Sequence, residues 1–338
     1  MNIKKPTSHD VARLAGVSQT TVSYVMSGRR VVAPETENRV LRAMEELGYQ
    51  PHSGARALRS SRSNVLGVVV PYHAGADPAA QHHFLVSLAS VARESDYDIL
   101  LLTADEGAAG LRRVIDTALC DGLFIMEVLA DDPRARVLVE SQTPAVFIGI
   151  PGDIQGVIAI DADYAQAAAQ AIEHLANRGH HTVTFLVPGH QSLANLNFIE
   201  RFRQSTHRRA RELGVQLNEY PVSVSYEHIL RHLHDIDPRS GDALLLAPIV
   251  PADDWCNALR SRGLVPGQDV SLIASSWDAQ HSHTVDHPSH FDMRTDQLTK
   301  QAMRLLLDRI NSQPPRQALH QLIEPTFVPG STLMPKRY

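Results

Sequence analysis

Cysteine is nearly absent from this chain: two in 338 residues, Cys120 and Cys256. So low a count fits a reduced compartment and predicts neither a disulfide framework nor a cysteine metal site. Aromatic residues are scarce at 5%. No apolar run reaches the length of about 20 residues that spans a bilayer. The N-terminus, MNIKKPTSHD, has no apolar segment of the kind a secretory signal needs. A cytoplasmic location is expected, with no membrane partner. The short signatures of common catalysts are missing as well: no G-x-S-x-G, no P-loop, no G-x-G-x-x-G after a strand and no H-E-x-x-H. No catalytic residue and no cofactor is expected, and the chain is read as no enzyme. The 18 histidines include close groups at His82/His83, His180/His181, His232/His234 and His281/His283/His287/His290. With neither cysteine nearby, they read as surface or loop histidines rather than metal ligands.

What is present is a chain long enough for two or three folding units, with 43% hydrophobic residues to fill their cores. The net charge of −5 hides an asymmetry. Residues 1–62 hold ten Lys/Arg against five Asp/Glu, a net of +5, which leaves 22 against 32, a net of −10, for the rest. A basic head on an acidic body is the footprint of a nucleic-acid binder whose body has another task.

The stretch Thr7–Gly28, TSHDVARLAGVSQTTVSYVMSG, organises that head. Thr7 and Asp10 make a capping pattern for a first helix, with Val11, Leu14 and Ala15 on its apolar face. Gly16 ends it, and Ser18 caps a second helix whose Val22, Val25 and Met26 point inward. Gln19, Thr20, Ser23 and Tyr24 are left outward, which describes a helix-turn-helix with its second helix offered to the DNA major groove. A third helix follows in VAPETENRVLRAMEELGY, with Pro34 in its first turn, Val40, Met44 and Leu47 inward, and Gly48 as its stop. The next residues, QPHSGARALRSSRS, are a basic linker whose short helical turns are marginal alone in water.

DVARLAGVSxxTVSxVxxG followed by ETxxRVxxAMEELGYxPxxxARxLR resembles the DNA-binding headpiece and hinge of the LacI/GalR family of bacterial transcription regulators. The resemblance covers about the first sixty residues almost without gaps. It implies a homodimeric regulator, most simply a repressor, on a palindromic double-stranded DNA operator, placing it on the nucleoid when bound. It implies DNA contacts from Thr7, Ser18, Gln19, Thr20, Thr21, Ser23, Tyr24, Arg29, His52, Arg56 and Leu58. Gln19, Thr20 and Tyr24 hold the positions that set half-site preference, with Tyr24 replacing the arginine common there. Leu58 corresponds to the leucine that wedges between base steps in the minor groove.

From Val65 apolar runs alternate with amphipathic stretches. Strands are expected at 65–70, 98–102, 122–126, 145–149, 182–187, 243–247 and 270–275. Helices are expected near 79–95, 107–119, 131–141, 161–178, 192–213, 251–262 and 295–311. Such alternation predicts parallel sheets with right-handed crossovers. HLANRGHHTVTFL and SWDAQHSHTVDHPSHFDMR resemble, more loosely, the same family's effector core.

The fold class expected is therefore α/β: an all-α headpiece (1–49) and hinge helix (50–62), then a core (63–338) of two doubly wound, periplasmic-binding-protein-like subdomains. One holds about 63–160 plus 291–322, the other 161–290 plus 323–338. No leucine heptads follow the last strand, which favours a dimer over a tetramer. The other reading of the residues alone is a solute-binding or enzymatic α/β protein whose first helices mediate contacts; a signal peptide would favour it and is missing.

The resemblance also implies a small-molecule effector between the subdomains, and here the chain departs from the family's pattern. Asp278 keeps the first aspartate of a pair whose second is Ala279. The expected arginine falls on Phe198, the nearby glycine becomes Arg201, the aspartate after the AVFI strand is Gly149, and the Asn-Asp after the ALLLA strand is absent. With Tyr72, Phe198 and Trp277 the cleft reads as more apolar and aromatic. Tyr72, Phe198, Trp277 and Asp278 are the candidate effector residues, for a ligand expected not to be a typical sugar.

Overall fold

The computed structural model describes residues 6–27, 30–49, 62–70, 78–103, 107–152, 154–190, 193, 195–223, 225–239, 241–312, 315 and 317–335. They divide into two compact units, residues 1–65 with 119–121, and residues 66–118 with 122–338.

The first unit is helical: α1 (Ser8–Ala15), α2 (Gln19–Ser27) and α3 (Pro34–Glu46). Val11, Ala12, Ala15, Val22, Val40, Ala43 and Tyr49 are buried together, with Val17, Val25, Met26, Met44 and Leu47 packed around them. Leu14 corrects the expected face of α1: it is 45% exposed. At 100° per residue it lies about 100° around the helix from the middle of the stripe formed by residues 11, 12 and 15, and Ala12 takes the inward place. Where the linker ends, the Asp121 carboxylate accepts from the Ser63 and Asn64 backbone amides at 2.6 and 2.9 Å.

In the second unit the first sheet has the order β11-β5-β4-β3-β1-β2. Its strands are β1 (Val65–Val69), β2 (Asp98–Leu102), β3 (Gly122–Ile125), β4 (Ala145–Ile148), β5 (Ile158–Ala162) and β11 (Leu319–Ile323). Its helices are α4 (Pro78–Glu94), α5 (Gly107–Asp116), α6 (Pro133–Ser141) and α11 (Thr295–Ile310). The second sheet has the order β7-β6-β8-β9, from β6 (Thr182–Pro188), β7 (Gln216–Val222), β8 (Ala243–Leu246) and β9 (Ser271–Ala274). Around it lie α7 (Tyr164–Ala176), α8 (Asn197–Leu213), α9 (Tyr226–Ile236) and α10 (Ala252–Ser261). The short strands β10 (His290–Asp292) and β12 (Thr326–Val328) pair antiparallel. The pairs β1–β3, β3–β4, β4–β5, β5–β11, β6–β7, β6–β8 and β8–β9 are parallel, for example Val68 against Phe124 and Phe185 against Leu245. The chain passes from the first sheet to the second after β5, returns for α11 and β11, and leaves again into β12.

All seven expected strands are present to within about a residue or two. Five elements were not anticipated, β7, α9, β10, β11 and β12, and a sixth, β5, lies where a loop and a helix start were read. β5 reads IAIDA, and its Asp161 broke the apolar pattern. The helix expected from 161 starts at Tyr164, capped by Asp163. β7 carries Pro221 and alternating polar residues, which an edge strand tolerates. α9 has three histidines among its eleven residues, which diluted its stripe of Ile229 and Leu233. β10, β11 and β12 are three to five residues long. The helix expected from 192 starts at Asn197.

Candidate nucleic-acid interface and effector cleft

The headpiece surface is built by its caps. The Thr7 backbone amide and hydroxyl donate to Asp10 Oδ2 at 2.9 and 2.7 Å, and the Asp10 amide donates back to Thr7 Oγ1 at 3.4 Å. The Thr7 hydrogen bonds hold the Asp10 carboxyl below its ordinary value, and Arg13 at 2.9 Å adds to this. Gly16 takes φ +64°, the left-handed cap a Cβ disfavours. The Thr21 amide then donates to Ser18 Oγ at 3.0 Å, and the two hydroxyls meet at 2.9 Å.

These caps fix which face α2 presents. Val22 is fully buried, which turns Gln19 and Thr20 to solvent and leaves Ser23 and Tyr24 half-buried. Gln19 Nε2 donates to Ser8 Oγ at 2.9 Å, so the side chain is tethered to α1. Arg30 stands over the Tyr24 ring, 5.8 Å from its centroid. Of the candidate DNA contacts, Thr7, Ser18 and Thr21 thus also serve as caps. Arg29, His52, Arg56 and Leu58 lie outside the described residues.

The candidate effector residues that are described belong to the second unit and fall into two groups. On one, the Phe198 ring lies 5.0 Å from that of Tyr164 and packs with Leu129 and Ile249 on the buried residues Leu193, Leu196 and Ile199. On the other, Trp277 Nε1 donates to Asp253 Oδ1 at 2.6 Å, and the Trp277 ring meets those of His287 and His290 edge-on. Asp278 accepts from the Gln280 amide at 2.8 Å and faces His281 Nδ1 at 2.7 Å. Burial pulls its carboxyl upward, but these hydrogen bonds outweigh burial and hold it below its ordinary value. His283 lies between Asp253 and Asp254, at 3.2 and 2.9 Å. Phe198 and the Trp277–Asp278 pair thus sit in separate packing groups, and among the described residues no group of three His, Cys, Asp or Glu side chains is placed to hold a metal. Tyr72 lies outside the described residues.

One pair was not anticipated. Arg201 Nη2 donates to Asp161 Oδ2 at 2.5 Å and to the Ala162 carbonyl at 3.1 Å. Burial pushes the Asp161 carboxyl up to about 6 even with Arg201 beside it. Arg201 stood out in the sequence as an arginine where the family's pattern has glycine; its partner, 40 residues earlier, left no signal there.

Comparison with known proteins decides what these helices and sheets belong to. The lacI family of bacterial regulatory proteins matches residues 7–52, and a periplasmic binding protein-like domain matches residues 172–333. The HTH-type transcriptional regulator AglR of Rhizobium meliloti (strain 1021) is 33% identical over 276 residues, 78% of this chain and 76% of that protein. The chain belongs to the LacI family. The regulator CelR of Thermobifida fusca is 24% identical over 326 residues, 92% of this chain and 93% of CelR. In fold, the Lac repressor dimer bound to operator and the anti-inducer ONPF superposes with a TM-score of 0.80 at 22% identity, over 98% of this chain and 100% of that one. This LacI-family chain is thus a transcriptional regulator with a DNA-binding helix-turn-helix and an effector-binding core. Among the described residues no helix is long and apolar enough to cross a membrane.

Proposed function

We propose that this LacI-family regulator represses transcription as a homodimer on a palindromic operator, and that a small molecule in the core's cleft sets its hold on DNA. The observation that carries this reading is the face of α2: two capped helices turn Gln19 and Thr20 outward over a closed core. One reading helix per chain gives a symmetric dimer two half-sites, so its operator is an inverted repeat. Gln19 pairs with adenine N6/N7 and the Thr20 methyl meets a thymine methyl. Thr7, Ser18, Thr21, Ser23, Tyr24, Arg29, His52 and Arg56 complete the contacts, and Leu58 wedges the minor groove. Val86 on α4 and Leu101 on β2, 53% and 52% exposed at the β2 edge of the first sheet, suit burial against a second copy.

Residues 1–49 are the headpiece and 50–62 the hinge. The core, 63–338, divides into a subdomain on the first sheet, about 63–162 with 291–323, and one on the second, about 163–290 with 324–338. Tyr72, Phe198, Trp277 and Asp278 face the effector. An aromatic wall with one aspartate suits a ligand more apolar than a typical sugar, since paired hydroxyls call for several amide or charged groups. The protein acts in the cytoplasm, on the nucleoid when bound, and catalyses nothing.

Selection from random DNA tests the reading. An inverted repeat is expected, with affinity that falls steeply with salt, at a log–log slope of about −0.9 per phosphate neutralised. Recovery of no inverted repeat would overturn it.

A further inference from the structure

After β3 the chain continues as an arm, residues 126–132, that is braced from within. Glu127 takes φ +51°, a left-handed conformation with a cost of about 1 kcal/mol or more for a side chain of this kind. What holds it is a buried pair. Arg134 donates to Asp132 through Nε at 2.9 Å and Nη2 at 2.7 Å, and to the carbonyls of Met126 and Glu127 at 3.0 and 2.9 Å. Asp132 is 1% exposed and Arg134 5%.

The braced arm reaches the turn that opens α8. Leu129 and Leu196 form an antiparallel bridge, and the Asn197 amide donates to the Val128 carbonyl at 2.8 Å. Leu129 and Phe198 pack on the same apolar cluster. Under the arm lies Gly149 at φ +127°, where a Cβ would stand 2.8 Å from Val128 Cβ. Any side chain there pushes the arm away. One turn along α8, Arg201 reaches Asp161 and the Ala162 carbonyl at the end of β5.

We propose that these contacts are one device, a clasp sufficient by itself to hold the two halves of the core closed on each other. Gly149 lets the arm lie flat, Phe198 and Leu129 seal it, and Arg201 pins the far side. The positions at which this chain departs from the family's pattern are then occupied by the protein's own closure. A ligand shifts a two-state equilibrium only by its difference in affinity for the two states. The effector of a self-closed core therefore acts by prising the clasp open, and Phe198 meets it only once the seal has parted. This consequence rests on the regulator reading above; the clasp itself does not.

The test uses the full chain with Cys120→Ser, Leu129→Cys and Leu196→Cys. Residues facing each other across an antiparallel bridge have Cα atoms about 4.5–5.5 Å apart, inside the range of about 4.4–6.8 Å that a disulfide spans. With oxidised glutathione and no other small molecule, the pair is expected to crosslink nearly completely within the monomer, read by electrophoretic mobility and free-thiol count. Arg201→Ala in the same background is expected to slow crosslinking several-fold. The oxidised protein is expected to bind the selected operator within about twofold of the reduced form. Crosslinking no faster than in a Leu129→Cys/Leu213→Cys control, or a rate indifferent to Arg201→Ala, would overturn the clasp. A tenfold loss of operator binding on oxidation, about 1.4 kcal/mol, would show that the clasped form is not the DNA-binding one and overturn its regulatory role. Failure of the wild-type chain to select an operator counts against the regulator reading alone, because the crosslink yield is measured without DNA.

Discussion

Arg201 on α8 donates to Asp161 at the end of β5, 2.5 Å away, and Asp161 is 5% exposed. The two residues belong to helices and strands around different sheets, so the pair ties one half of the core to the other. Burial raises the folded-state value of Asp161 to about 6 from an ordinary 3.8, and Arg201 works against that rise. A carboxyl raised on folding binds its proton more tightly in the folded chain. Its contribution is most favourable below the unfolded value and is lost as pH rises towards the folded one. Arg201→Ala lifts the folded value further, so the loss continues above pH 6. The melting temperature of the variant should match wild type most closely near pH 5 and fall progressively below it by pH 8. The gap should grow by about 1.4 kcal/mol for each further unit of upward shift, if the site does not relax. Thermal melts at the two pH values check this; a gap that is the same at both would mean that Asp161 does not titrate against Arg201.

Ser18 caps α2 through one hydroxyl, which accepts from the Thr21 amide and meets the Thr21 hydroxyl. Ser18→Ala leaves that amide without its side-chain cap and should cost the headpiece about 1 kcal/mol. Hydrogen exchange of the α2 amides should quicken while that of the core sheets stays the same. Operator affinity should drop with it, since a frayed α2 presents its face less often. Unchanged exchange in α2 would show that the cap is dispensable.

Leu58→Ala should leave the core folded and dimeric but weaken operator binding and reduce DNA bending. A wedge between base steps is compensated by the contacts that the bent duplex allows, so removing it lowers both together. Gel mobility on circularly permuted operator fragments measures the bend. Equal bend and equal affinity would return the hinge to the status of a simple linker.

How much was legible follows the spacing of the contacts. The headpiece was readable almost to the residue because its caps span three positions, as in Thr7 with Asp10 and Ser18 with Thr21. The central strands were readable because both faces are buried and their sequences are unbroken apolar runs, as in ALLL at 243–246. Strand β7 hid behind Pro221 because, among the described residues, it is the edge of its sheet. Leu14 went to the wrong side because a three-and-four spacing also fits a flank. The cleft was the least legible part. Phe198 and Arg201 could be seen as unusual, but the residues they engage, Tyr164, Leu129 and Asp161, are 34, 69 and 40 positions away. Only the folded chain brings such pairs together.

Base reading by α2 rests first on Gln19. Its amide is held by Ser8 Oγ at 2.9 Å, on an exposed face of a capped helix. The most direct measurement is selection from random DNA carried out in parallel for the wild-type protein and Gln19→Ala. The wild type should recover an inverted repeat. Gln19→Ala should recover the same repeat with preference relaxed at one symmetric pair of positions, at a cost of roughly 1–3 kcal/mol per contact. Recovery of no inverted repeat by the wild type, or a Gln19→Ala variant weakened equally on every sequence, would show that Gln19 on α2 does not read bases.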